Sequence, residues 1–306
     1  MPIFVGHSSR VICQGVLSEE EVFHIHQCKV YGTQVVAWVK AGYGGKERLG
    51  LPVFDSVREA RLQTSANVSL VFVEPPFVAD AVIEAIEGGV ENIICCTAGV
   101  PLHDMVKIQY ILSKNKKSRL IGPSSCGLIT PSQCKAGVMP GYVFAPGPVG
   151  IISSVDTLGY EAAWHITNAG LGQTTFVGIG NEAVRTTSAV DVLAEFDQDT
   201  QTEAILLILQ NGESGVEAIA EWVEKGSKKP ILAVISGHAV PITGHLSSVL
   251  TEEAASGKDI SDVLRNVGVR IIEDIATIGF AVEQAIMQSR LKEFVSVIPP
   301  PKKTIA

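Results

Sequence analysis

The residues best suited to chemistry lie in one short stretch that follows the apolar segment 230–235. It reads Ser236-Gly237-His238-Ala239-Val240-Pro241-Ile242-Thr243-Gly244-His245. An imidazole titrates near neutral pH and can serve as nucleophile, base or metal ligand. Taken alone, a loop histidine is more often solvated structure than chemistry. A metal reading lacks a third ligand even if His238 lies close to His245. The other histidines offer less. His24 and His26 stand two apart on an expected helix and cannot share a face, and His103 and His165 fall in helical patterns.

Composition narrows the options. The chain has 306 residues, enough for two domains that each bury a core. Apolar residues make up 46%, and no uninterrupted apolar run approaches the roughly 18 residues of a membrane span. The net charge of −8 and the absence of a basic patch with interleaved aromatics argue against nucleic acid as the main partner. All six cysteines precede residue 135 and none forms a Cys-x-x-Cys pair. That fits a reducing compartment with buried thiols, not a disulfide or zinc framework. No signal or Arg-rich transit segment is visible, although a mature form could have lost one.

Elements that could position the histidine loop follow from periodicity. Apolar runs of four to seven residues alternate with longer helical patterns, the mark of an α/β fold with parallel sheets. Strands are predicted at 10–13, 34–39, 68–73, 92–96 and 119–121, with helices at 18–31, 56–63, 76–88 and 102–115. This spacing suits a Rossmann-like domain over residues 1–139. Residues 140–148, rich in proline and glycine, read as a linker. A second series over 149–294 has strands at 149–153, 174–179, 204–209, 231–235 and 268–272. Its helices are predicted at 157–168, 188–196, 215–224, 260–266 and 275–289. The runs 205–209 and 231–235 are apolar on both faces, as central parallel strands are. Residues 295–306, with Pro299-Pro300-Pro301, read as an extended tail.

Landmarks then appear in a fixed order: Val11-Ile12-Cys13-Gln14-Gly15, Leu49-Gly50-Leu51-Pro52-Val53-Phe54, Ile121-Gly122-Pro123, Ile129-Thr130-Pro131, Met139-Pro140-Gly141, Gly178-Ile179-Gly180 and Gln201-Thr202-Glu203-Ala204-Ile205. With their nearly gap-free spacing, the chain resembles the alpha subunit of succinate–CoA ligase (succinyl-CoA synthetase) over residues 8–290. The resemblance implies a Rossmann-like CoA-binding domain followed by a flavodoxin-like ligase domain. It implies a larger beta-type partner subunit that grips the nucleotide and Mg²⁺. It also implies formation of succinyl-CoA from succinate, CoA and ATP or GTP through a phosphohistidine, which here is His245 after Gly244. The setting it implies is the mitochondrial matrix or a bacterial-type cytoplasm.

The same resemblance places CoA contacts at Leu17, Ser18, Glu19, Glu20, Tyr43, Cys96, Thr97, Ala98, Ser124 and Ser125. It places the phosphate site at Ser153, Ser154, Val155, Asp156 and Tyr160, and the residue that orients the histidine at Gln210. Several of these depart from the family pattern. The phosphate-binding turn after the first strand keeps only Gly15. Ser18 with Glu21 has the form of a capping box, and three carboxylates stand in the first helical turn, where they would repel a CoA phosphate. Tyr43 replaces an expected lysine, although Lys40 and Lys46 flank it. Thr97-Ala98-Gly99 lacks a carboxylate, and Glu252-Glu253-Ala254-Ala255 replaces a glycine-rich loop. Asp156 is expected to cap the next helix and to oppose a phosphoryl group, by roughly 4 kcal/mol at ~4 Å and an effective dielectric near 20. Gln210 can hydrogen-bond imidazole but supports its cation less well than glutamate. Two readings result: a ligase subunit with weakened activity, or a catalytically silent alpha-like subunit that binds a beta-type or other protein partner.

Overall fold

Strand-forming runs and helices alternate as the periodicity predicts, and in a computed structural model that describes residues 3–15, 18–237 and 260–297 they build two seven-stranded sheets. The first half runs β1 (Arg10–Gly15), α1 (Glu19–Tyr31), β2 (Gln34–Val39), β3 (Glu47–Arg48), β4 (Leu51–Phe54), α2 (Val57–Thr64), β5 (Val68–Phe72), α3 (Val78–Glu87), β6 (Asn92–Cys95), α4 (Leu102–Lys114) and β7 (Arg119–Ile121). Its strand order is β3-β4-β2-β1-β5-β6-β7, parallel apart from the β3–β4 pair. The chain changes sides between β1 and β5, which opens a crevice at the carboxyl end of β1.

The second half runs β8 (Gly127–Thr130), β9 (Cys134–Gly137), β10 (Pro146–Ser153), α5 (Asp156–Asn168), β11 (Gln173–Gly178), α6 (Ala189–Gln198), β12 (Ala204–Gln210), α7 (Val216–Glu224), β13 (Ile231–Ser236), α8 (Ile260–Asn266), β14 (Arg270–Ile271) and α9 (Ile278–Val297). The order is β14-β13-β12-β10-β11-β8-β9, parallel from β14 to β11, with β8 and β9 antiparallel. Here the side change falls at β10, between β11 and β12, so the carboxyl end of β10 is the natural ligand crevice.

Three expectations need correction. Residues 127–137, placed with the first domain, hydrogen-bond into the second sheet through β11. Their register pairs Gly127 with Gly137, both at positive φ, and a Cβ on Gly127 would stand 2.2 Å from Ala136 O while one on Gly137 would stand 2.1 Å from Cys126 O. Only glycine permits that approach. The proline-rich linker is shorter than 140–148, because β10 already starts at Pro146. Nor does the tail begin at 295: α9 continues to Val297, since nothing before Pro299 breaks a helix.

One core cluster joins both sheets, containing Val11 and Leu70 of the first and Ile152 and Leu207 of the second. Trp38, Phe176 and Phe196 are fully buried. All six cysteines are free, five buried and Cys96 half-buried. Among the described residues no helix is long and apolar enough to cross a membrane.

Candidate functional site

Parallel strands deliver their following loops to one edge, and the second sheet gathers Ser154, Glu182, Arg185, Gln210, Asn211 and Glu213 there, around an open cleft of about 260 Å³. Glu213 is the centre of the cluster. Its carboxylate accepts from the Ser154 hydroxyl, from the Gln210 backbone N–H at 3.1 Å and from Arg185 Nη1 at 2.8 Å. Both side chains of this ion pair are nearly buried, Arg185 10% and Glu213 6% exposed. Arg185 also donates to the Gly180 carbonyl at 2.9 Å. A buried pair with its hydrogen bonds satisfied fixes the loops that carry it, whatever its net contribution to stability.

Gln210 ends β12 with its side chain exposed, opposite Ser236 in the β12–β13 register. Asn211 holds the next two positions. Its backbone N–H donates to Ser236 O at 2.8 Å and its Nδ2 to Gly237 O at 3.2 Å. The segment bearing His238 and His245 therefore leaves the described structure beside Gln210. His238, His245 and Glu252 to Ala255 lie outside the described residues, as does Leu17 in the first domain.

The start of α5 forms the floor of this edge. Ser153 and Ser154 are buried. Ser153 Oγ accepts from Val155 N at 3.2 Å, and Ser154 N donates to Ile208 O at 2.9 Å. The expected cap is corrected here: the N-cap is Val155, among the described residues no side chain caps the helix, and Asp156 is its first helical residue. Asp156 instead shares a hydrogen bond with the Cys126 thiol, and burial holds its carboxyl above the usual carboxylate range. Burial likewise raises the Cys126 thiol and the Tyr160 hydroxyl, which contact each other. Among the described residues, the N–H groups at the start of α5 thus face no competing cap, an arrangement suited to an anion.

At the first crevice the capping box is present. Glu21 N donates to Ser18 Oγ at 3.3 Å, and Ser18 N to Glu21 Oε2 at 2.9 Å. That same oxygen lies 3.6 Å from where a Cβ on Gly15 would stand, so a carboxylate covers the glycine turn. Glu19 and Glu20 are exposed in the same turn. Beside it, Lys40 Nζ and Lys46 Nζ each stand 4.3 Å over the Tyr43 ring, a cation–π pair that puts two positive charges after β2. The residues fit a phosphorylated cofactor in part: the cations suit its phosphates and Glu21 opposes them.

The remaining positions form the joint between the sheets. Thr97 Oγ1 donates to Val73 O at 2.7 Å, Thr97 O accepts from Ser124 N at 2.9 Å, and Ala98 is exposed. Cys96 is half-buried, with its thiol raised by burial. Ser125 differs from the expected ligand contact, because its buried hydroxyl donates to Gly178 O and accepts from Gly127 N. Glu182 crosses the joint and accepts from Gly99 N at 2.8 Å. Sequence reasoning missed Glu182, Arg185 and Glu213. The last had a signal: an acid three residues after a strand end, within an Asn-Gly turn, can reach back to that strand's final N–H.

Comparison with known proteins agrees with this layout. A CoA-binding domain family matches residues 7–99, and a family described as succinyl-CoA ligase like flavodoxin domain matches residues 146–284. The succinate–CoA ligase [ADP-forming] alpha subunit of Aquifex aeolicus (strain VF5) is 42% identical over 297 residues, covering 96% of this chain and 97% of the relative. That of Staphylococcus aureus (strain MRSA252) is 36% identical over 301 residues, covering 97% and 99%. Among solved structures, Methanosaeta concilii ATP citrate lyase superposes with a TM-score of 0.79 at 19% identity, over 98% of this chain and 53% of that one. The acetyl-coenzyme A synthetase 1 of Ca. Korarchaeum cryptofilum gives 0.69 at 19% identity, over 93% and 60%. The chain spans little more than half the length of those two, which share its fold. With two domain matches in order and end-to-end likeness to curated alpha subunits, this chain belongs to the succinate–CoA ligase alpha-subunit family.

Proposed function

We propose that this chain is the alpha-type subunit of a succinate–CoA ligase that works with a beta-type subunit, and that it carries a phosphoryl group on His245. One observation carries the reading. Ser154, two residues before α5, Gln210 at the end of β12, and Asn211, which holds Gly237 where the His245 segment departs, line the same cleft, and among the described residues no side chain caps α5. In this reading the His245 imidazole displaces a nucleoside diphosphate from the γ-phosphorus of ATP or GTP, with nucleotide and Mg²⁺ held by the partner. The phosphoryl group then passes to a succinate carboxylate, and the resulting acyl phosphate loses phosphate to attack by the CoA thiol. The chain's own part is to hold the phosphoryl group against the first N–H groups of α5 and to orient the imidazole from Gln210. CoA supplies the thiol nucleophile when bound at the first crevice.

The carboxylates at both sites weaken this activity, and Glu21 over Gly15 favours a second reading, a silent subunit that only binds its partner. The test is incubation of the chain and a beta-type subunit with γ-labelled nucleotide. Acid-labile, base-stable label on His245, lost in His245→Asn, supports phosphoryl transfer. A stable complex that never labels supports the silent subunit. Absence of any complex overturns both.

A further inference from the structure

The helix α9 is apolar on two sides. Ile278, Ala281, Val282, Ala285 and Ile286 pack into the core of the second sheet. On the outer side Phe280, Met287, Leu291 and Phe294 are 61%, 55%, 63% and 67% exposed. A helix with apolar side chains on two opposite faces normally has both faces covered. The outer residues are spaced seven, four and three apart, and Gln284 takes the remaining position. That is the a/d seam of a heptad repeat, whose partner is another helix.

We infer that α9 pairs with α9 of a second copy of this chain, in antiparallel orientation. The flanks are self-complementary only that way. Setting Phe280 against Leu291 and Gln284 against Met287 brings Glu283 of each copy opposite Arg290 of the other, whereas a parallel pair sets Glu283 near Gln288. Arg290 is already held at the seam's edge by its own Glu203, Nε and Nη2 each donating at 2.7 Å. This leaves the Nη1 hydrogens for a second carboxylate. Gln284 accepts from Arg270 at 3.1 Å and supplies the one polar layer, the kind of feature that fixes register. Eight apolar side chains, four per copy, bury on the order of 1,000 Å², the low end for a specific interface, which fits a dimer of micromolar strength. Glu203 directly precedes β12, whereas the cleft lies at the other end of that strand, so the seam runs away from the His245 site. Pairing through α9 leaves that cleft open to a beta-type subunit.

Sedimentation equilibrium of the full chain alone, from ~1 to ~100 µM, tests the pairing. Wild type should dimerise, and Leu291→Glu should be monomeric throughout with an unchanged far-ultraviolet spectrum. In a Glu203→Gln background, which removes the competing carboxylate, Glu283→Arg should weaken the dimer about tenfold through two like-charge contacts, and adding Arg290→Glu should restore it. A wild-type monomer at ~100 µM overturns the inference. So does a dimer that Leu291→Glu leaves intact, or a charge swap that restores nothing. If the chain alone is monomeric and Leu291→Glu instead abolishes binding of a beta-type subunit, the seam belongs to that subunit and the inference also falls.

Discussion

If His245 carries a phosphoryl group as proposed, Asp156 is the residue whose protonation bears most directly on its transfer. Its carboxyl is held above the usual carboxylate range by burial, with the Cys126 thiol alongside. A raised carboxyl is neutral in the folded protein at pH values where a free aspartate, with a pKa near 4, is already ionised. The negative charge then develops only as pH rises through the raised value, and only the ionised form repels a phosphoryl group at the start of α5. The His245 labelling rate of wild type divided by that of Asp156→Asn should therefore approach one at low pH and fall as pH rises, by about tenfold for a half-exposed charge. Taking the ratio cancels the titration of the histidine itself. A ratio that stays at one across the range would show that Asp156 does not face the phosphate. The neighbouring thiols make a second prediction. Burial pushes Cys95 and Cys134 up to about 12 and holds Cys126 well above its ordinary range, so almost no thiolate exists at neutral pH. A thiol-exchange reagent should react far below stoichiometry with the native chain and with all six cysteines after denaturation.

At the scale of single elements, α1 decides how well the first crevice can receive phosphate. Its N-terminus is occupied from within by Ser18 and Glu21, and Glu21 also lies over Gly15. CoA should bind the wild-type chain with a dissociation constant above ~100 µM by calorimetry, and Glu19→Gln/Glu20→Gln/Glu21→Gln should bind about tenfold tighter. Ser18→Ala should cost about 1 kcal/mol of stability without that gain, because the Glu21 carboxylate stays in place. Micromolar binding by wild type would show that Lys40 and Lys46 outweigh the acids. This helix was legible in the sequence because Ser18, Glu21 and the run to Tyr31 agree with one another locally. The carboxylate over Gly15 was visible there only as charge, not as position. The strands β8 and β9 were not legible. Each has four residues, and their pairing rests on Gly127 facing Gly137, a contact that no periodicity encodes. For the same reason Glu213 and Arg185, 28 residues apart, could not be joined from sequence, and the cap on α5 was assigned to Asp156 one residue too far along.

Across the whole molecule, the β8–β9 hairpin ties the two halves together. Among the described residues β9 is the last strand of the second sheet, so one row of its backbone groups has no strand partner there. Thr33, between α1 and β2, fills that role. Its Oγ1 donates to Lys135 O at 2.7 Å and accepts from Lys135 N at 2.8 Å, with both residues buried. Lys135 Nζ turns back to Gly137 O at 2.9 Å, and Thr130 Oγ1 reaches Val5 O at 2.7 Å. With the core cluster running through both sheets, the two domains should unfold in one transition. Thr33→Val keeps the shape of the side chain and removes the hydroxyl, leaving a buried donor and a buried acceptor of Lys135 unpaired. At 1–3 kcal/mol for each such group, offset by local relaxation, the variant should lose about 3 kcal/mol. Urea denaturation followed by the fluorescence of Trp38, in the core of the first sheet, and of Trp222, on α7 of the second, reports on each half separately in single-tryptophan variants. Coincident curves that shift together in Thr33→Val are the expected result. If the two curves separate in the wild-type background, the hairpin does not couple the domains. If they coincide but do not move in Thr33→Val, the coupling comes from the apolar core alone and not from the Thr33–Lys135 hydrogen bonds.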